Sequence, residues 1–125
     1  MQIVKKAVIP VAGFGTRFLP YTKAVPKAML PVLNKPAIQI ITEEVINSGI
    51  EEILFVVGYK NDVIKDHFNP SEILDKELLA KNKMDFYSLV KYPETMAKVT
   101  FVEQKELNGT AKAIEVAKKE KVVNS

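Results

Sequence analysis

The sequence predicts an α/β fold, a Rossmann-like open sheet of about three parallel strands with helices between them. Three observations carry this. The runs "VKKAVIPVA", "EEILFVVGY" and "KVTFVEQ" are short, and the first two are nearly continuous in apolar residues, the signature of strands covered on both faces. Helical patterns separate them, so the order is strand, helix, strand, which closes as a right-handed βαβ unit. A length of 125 residues with 47% hydrophobic content suffices for one core, and residues 1–125 are read as a single domain.

Taken in order, "VKKAVIPVA" is the first strand and, apolar toward both faces, is expected at the centre of the sheet. An irregular segment follows, in which Pro20, Pro26, Pro31 and Pro36 exclude a long helix. The next helix starts with Pro36 in its first turn, places Ile38, Ile41, Thr42, Val45 and Ile46 on one face, and stops at Gly49. "EEILFVVGY" is the second strand. Residues 61–98 predict two or three short helices: "NDVIKDHF", "SEILDKELLAKN" with Ser71 as a cap, and one around "DFYSLV". "KVTFVEQ" is the third strand, and Gly109 opens a last helix, "TAKAIEVAKKEKV".

Composition narrows the function. Zero cysteines exclude disulfides and thiolate metal sites, and no apolar run reaches the length of a membrane span. The apolar start is interrupted by Pro10 and two glycines and runs into Arg17, so it reads as a strand rather than a secretion signal, and a cytoplasmic protein is expected. The net charge of +3 is uneven. Residues 1–42 hold six cations and no acid, while the rest of the chain holds twelve cations and fifteen acids. That concentration suits an anion site, although a lysine-rich chain produces such a cluster by chance as well. Phe14, Phe18 and Tyr21 are too few and too local for a surface that stacks on nucleic acid. His67 stands alone and reads as structural or exposed. Glu43–Glu44 and Glu51–Glu52 read as solvated element ends.

The cations surround "VAGFGTRFLPYTKAVPKAMLP", which begins directly after the first strand. A dinucleotide fingerprint would need glycine at position 18, where phenylalanine stands, and an acid about twenty residues on, where "PVLNKPA" stands. The ATPase loop fails as well, because no Gly-Lys pair exists. Gly13 and Gly15 permit close backbone approach, and successive N–H groups can form a nest for phosphate oxygens. Arg17 offers a planar fork and Lys27 a movable point charge. The residues fit a triphosphate cradle, and a surface turn with two glycines and a solvated arginine fits them too.

The longer strings "AGFGTRFLPYTKAVPKAMLPVLNKPAIQ", "GYKNDVIKDHFNPSEILDKEL" and "VEQKELNGTAKAI" together resemble the sugar-phosphate nucleotidyltransferases, and among them the bacterial UTP–glucose-1-phosphate uridylyltransferases. The likeness spans about residues 3 to 118. The second string resembles an insertion of the uridylyltransferases, which leans toward UTP over dTTP. The resemblance implies the N-terminal half of a nucleotidyltransferase, glycosyltransferase-A-like fold. It also implies a reaction in which a glucose-1-phosphate oxygen attacks the α-phosphorus of UTP and pyrophosphate leaves. Alignment and electrostatic stabilisation dominate such a step, and no nucleophilic side chain is needed.

Carried onto this chain, the resemblance assigns the backbone of Ala12, Gly13, Gly15 and Thr16 to the nucleotide. It assigns Arg17 to the outgoing pyrophosphate, Lys27 to bridging phosphates and Lys23 to electrostatic support. Gln104 would read the uracil edge, its amide donating and accepting at once, and Gly109 would leave room for the base. Lys112 departs from the histidine common there. The resemblance also implies Mg²⁺, held by an aspartate on a later strand for which "KEKVVNS" offers no substitute. The chain is therefore expected to be the nucleotide-binding part of the enzyme, inactive alone, with its first strand an apolar edge inclined to self-association. A UTP-binding module without chemistry and a plain α/β interaction domain are the other readings.

Overall fold

The computed structural model describes residues 5–11, 13, 15–58 and 61–104. Its elements run β1 (Lys6–Pro10), three single 3₁₀ turns, β2 (Pro31–Val32), β3 (Lys35–Pro36), α1 (Ala37–Asn47), β4 (Glu52–Val57), α2 (Asp62–Phe68), α3 (Glu72–Ala80), α4 (Met84–Thr95) and β5 (Lys98–Glu103). β1, β4 and β5 form a parallel sheet in the order β1-β4-β5. The α/β expectation with three parallel strands holds.

The first strand takes the edge position expected for this chain rather than the centre that its apolar faces suggest. β4 is central, and β1 lies at the edge of the described sheet. The cause is visible in the two strands: β4 buries Ile53, Phe55, Val56 and Val57, whereas β1 ends on the exposed Pro10, which has no N–H to donate to a ladder. Register places Glu52 opposite Lys6 and Lys98, and its carboxylate reaches both ammonium groups, at 3.4 and 3.8 Å. These are exposed pairs worth little stability, but oppositely charged cross-strand neighbours favour this register over its slips.

Alternation along β4 divides the interior. Ile53, Phe55 and Val57 face α1 and α2, packing with Ile38, Ile64 and Phe68. Phe55 stacks against Phe68 and Phe101 with ring centroids 5.8 and 5.9 Å apart. Val56 points to the other face, against Val8 and Leu54.

α1 begins after Pro36 and ends where Gly49, at φ 93°, donates to the Ile46 carbonyl, as expected. Its buried face is rotated from the expected one. Ile38, Gln39 and Thr42 are buried, and Ile41 is exposed. Gln39 can be buried because its amide is satisfied: its oxygen meets His67 Nε2 at 2.7 Å, and its Nε2 donates to Glu43 at 3.3 Å. Thr42 Oγ1 donates back to the Ile38 carbonyl at 2.7 Å.

The proline-rich segment is more ordered than expected. β2 and β3 form a two-residue antiparallel ladder turned by Leu33 at φ 58°, with prolines only at its open ends. Ser71 occupies the N-cap position of α3 but makes no side-chain capping bond. The expected helix around "DFYSLV" is the longer α4, with Pro93 in its last turns, and Lys91 ties it to α3 through Asp75. The expected last helix lies outside the described residues.

Candidate nucleotide-binding site

All three strands of the sheet are parallel, so the loops after β1, β4 and β5 share one edge, the edge at which open α/β sheets hold ligands. The β1 ladder ends as the Val11 N–H donates to the Val56 carbonyl at 2.9 Å, and the glycine loop begins there. Gly13 has φ 152° and Gly15 φ 61°. A Cβ on Gly13 would meet nothing within 4 Å, but one on Gly15 would lie 3.0 Å from Lys27 Cβ and 3.1 Å from Thr22 Cγ2. Gly15 is therefore required by conformation and by space.

The loop is pinned from below. Thr22, 4% exposed, donates from Oγ1 to the Gly15 carbonyl at 2.8 Å. The Phe18 N–H donates to the same oxygen at 2.9 Å and closes the 3₁₀ turn Thr16–Phe18. Two further turns, Tyr21–Lys23 and Lys27–Met29, bring Lys27 back against Gly15. Gly13, Gly15, Thr16, Arg17, Phe18 and Lys27 then line one cleft of about 270 Å³. Arg17 and Lys27 are both exposed, and Lys27 Nζ stands 5.8 Å from the centre of the Phe18 ring.

Gln104 lies on the other side of β4. Its N–H donates to the Val57 carbonyl at 2.6 Å, continuing the ladder one residue past β5. Alternation puts its side chain on the face of Val102, and that side chain is buried, the residue being 6% exposed. Its Nε2 has no hydrogen-bond partner among the described residues. A buried amide donor left unpaired costs about 1–3 kcal/mol, which a ligand acceptor would recover. Two strand spacings, about 10 Å, separate the ends of β1 and β5. Glu103 points the opposite way and accepts a 3.2 Å bond from Asn61 Nδ2, which also donates to the Gly58 carbonyl at 2.9 Å.

Of the residues expected at the site, Gly13, Gly15, Thr16, Arg17 and Lys27 meet in the cleft, and Gln104 flanks the same sheet edge. Lys23 sits in the second turn and does not line the cleft. Ala12, Gly109 and Lys112 lie outside the described residues. Sequence reasoning missed Thr22 and Phe18, whose roles arise from the folding back of the proline-rich segment. His67 is half-buried and bonded to Gln39, and burial lowers its pKa from the usual value of 6.5. Among the described residues no group of three or more His, Cys, Asp or Glu could hold a metal ion. The cleft lining contains no carboxylate to hold Mg²⁺, which the resemblance assigns instead to an aspartate on a later strand.

Comparison with known proteins bears directly on this geometry. The family pattern described as nucleotidyl transferase matches residues 6–124. The chain belongs to the nucleotidyl transferase family. Within it, the chain is 48% identical over 118 residues to a UTP–glucose-1-phosphate uridylyltransferase of Staphylococcus epidermidis, a match covering 94% of this chain and 41% of that protein. It is 49% identical over 114 residues to uridylyltransferase 2 of Staphylococcus saprophyticus, covering 91% of this chain and 39% of that one. Among solved structures, the UTP-bound UGPase of Acinetobacter baumannii superposes with a TM-score of 0.89 at 36% identity, covering 95% of this chain and 42% of that one. A UDP-glucose pyrophosphorylase complexed with UDP-glucose gives a TM-score of 0.76 at 33% identity, covering 94% and 42%. This nucleotidyl transferase chain thus spans about two fifths of the length of the relatives it matches.

Proposed function

We propose that the cleft binds the triphosphate of UTP and that this chain supplies the nucleotide-binding part of UTP–glucose-1-phosphate uridylyl transfer. The observation that carries the reading is a pairing across β4. A cationic glycine cleft stands on one side, and a buried amide donor with no partner among the described residues stands on the other, about two strand spacings away. A nucleoside triphosphate has the matching parts, with anionic oxygens at one end and a base edge of donors and acceptors at the other. The names of the relatives, uridylyltransferases and UDP-glucose pyrophosphorylases, supply the choice of UTP as donor and glucose-1-phosphate as acceptor.

In this reading the backbone N–H groups of the Ala12–Thr16 loop hold phosphate oxygens, and Arg17 takes two oxygens of the outgoing pyrophosphate. Lys27 bridges phosphates as an oxygen of glucose-1-phosphate bonds to the α-phosphorus and the bond to the β-phosphate breaks. The electron pair of that bond leaves with pyrophosphate, where Arg17 and Lys27 offset its charge. Lys23 adds positive potential. Gln104 accepts and donates at the uracil edge, and Gly109 leaves room for the ring. Binding runs on backbone amides, a guanidinium and ammonium groups, and no step is assigned to Mg²⁺. The reading includes a cytoplasmic location for the reaction.

UTP titrated against wild type and Arg17→Ala tests the binding. The expected result is saturable binding by wild type and a loss of about tenfold or more in the variant, the size of one charge-assisted phosphate contact. Absence of binding in both overturns the nucleotide reading. The proposal gives this chain, which spans about two fifths of the length of its relatives, the binding step alone, so the 125-residue chain by itself is expected to bind UTP without chemistry. UDP-glucose formation at a rate proportional to its concentration would show the opposite.

A further inference from the structure

We infer that Phe18 is a positioning residue for Lys27, its ring holding the ammonium group at the cleft mouth in a form that incoming phosphate can still claim. The inference rests on the nucleotide reading above. Lys27 lies on a cleft wall, with its Cβ packed against Gly15, so its stem is fixed near the backbone. Beyond that stem a lysine has several freely rotating bonds, and an ammonium group without a partner would sweep through solvent. Within the described residues no carboxylate lies in ion-pair range of Lys27, and residues 1–42 contain no acid at all. The group that meets the ammonium is the Phe18 ring, 5.8 Å away at its centroid and inside the range of cation–π attraction.

The chemistry of that partner matters. A carboxylate would hold Lys27 more firmly but neutralise it, and phosphate would first have to break the ion pair. An aromatic face attracts the cation through its quadrupole and leaves the full charge in place. It therefore restricts where the ammonium goes without competing for it. Phe18 is 45% exposed, so its ring is accessible to the ammonium at the cleft mouth. It shares its 3₁₀ turn with Arg17, so one short turn delivers a guanidinium and the rest for an ammonium to the same cleft. Before ligand arrives, the ring keeps Lys27 beside Arg17 despite their like charge.

The test combines a geometric readout with a binding readout. In proton NMR the ε-methylene of Lys27, assigned by its loss in Lys27→Met, should be shifted upfield by the ring in wild type and in Phe18→Tyr. It should return to the ordinary lysine position in Phe18→Leu, which keeps apolar bulk without the ring. UTP and inorganic tripolyphosphate are then titrated against each variant. Phe18→Leu should bind both on the order of two- to fivefold more weakly, the range of an exposed cation–π contact. Phe18→Tyr should recover wild-type affinity, and Phe18→Leu should produce no further loss in a Lys27→Met background. Absence of the upfield shift overturns the inference, and so does an equal loss with and without Lys27, which would mark Phe18 as merely structural. A wild type that binds tripolyphosphate but not UTP overturns the uridine assignment while the same comparison still decides Phe18. A wild type that binds neither overturns both.

Discussion

Gly15 meets two demands that no side chain satisfies together. Its φ of 61° is left-handed, and a Cβ there would lie only 3.0 Å from Lys27 Cβ. Gly15→Ala should therefore cost about 1–2 kcal/mol in backbone strain, with a further penalty as Lys27 is pushed away. Gly13→Ala meets no atom within 4 Å and bears the conformational cost alone, so its thermal melt should shift less than that of Gly15→Ala. Thr22→Val keeps the volume of Thr22 but loses its bond to the Gly15 carbonyl. Chemical denaturation should report a cost of about 1 kcal/mol for it, together with weaker UTP binding. The glycines and cations could be read from the sequence because each residue type carries its own requirement, left-handed backbone or anion contact. Thr22 and Phe18 could not, since their partners are fixed by chain reversal seven and nine residues away.

Among the elements, β4 bears most of the core, and Phe55 is its centre, in a triangle of rings with Phe68 and Phe101, which lie 6.0 Å from each other. Phe55→Ala should cost about 3–5 kcal/mol by denaturant midpoint, a large part of the stability of a domain of this size. The strands were legible as apolar runs, because a central parallel strand is dry on both faces. The β2–β3 ladder was not, because two-residue strands bounded by prolines have no periodicity to detect. The rotation of α1 was hidden for a different reason: the partner that lets Gln39 be buried, His67, is 28 residues further on. That contact has a pH consequence. Burial lowers the folded-state pKa of His67 below 6.5, so below that pH the unfolded chain binds the extra proton first. Stability should be full above pH 6.5 and decline as pH falls through the lower folded value. As the chain has one histidine, a single C2–H resonance can report that pKa directly, and His67→Gln should flatten the acid limb of the stability curve.

At the scale of the whole molecule, β1 has a strand partner on one side only among the described residues. Such an edge offers unpaired N–H and C=O groups to another chain, and the expected self-association should appear as a mass that rises with concentration in sedimentation. A monomer at high concentration would count against it. The overall plan, a parallel sheet with a glycine loop at its carboxyl edge, was visible in the residues. Which strand lies between the loop and Gln104 was not, because strand order depends on non-local pairing that no single run of residues encodes. That order makes β4 a gauge block between the glycine cleft and Gln104. Gln104 faces its crevice only because Val57 pairs with Glu103. A slip of one residue between β4 and β5 would move Gln104 by about 3.3 Å and turn its amide to the α2 side. A substitution at Glu52, at the far end of the sheet from the cleft, would then turn Gln104 out of the crevice while the glycine loop, Arg17 and Lys27 stay in place.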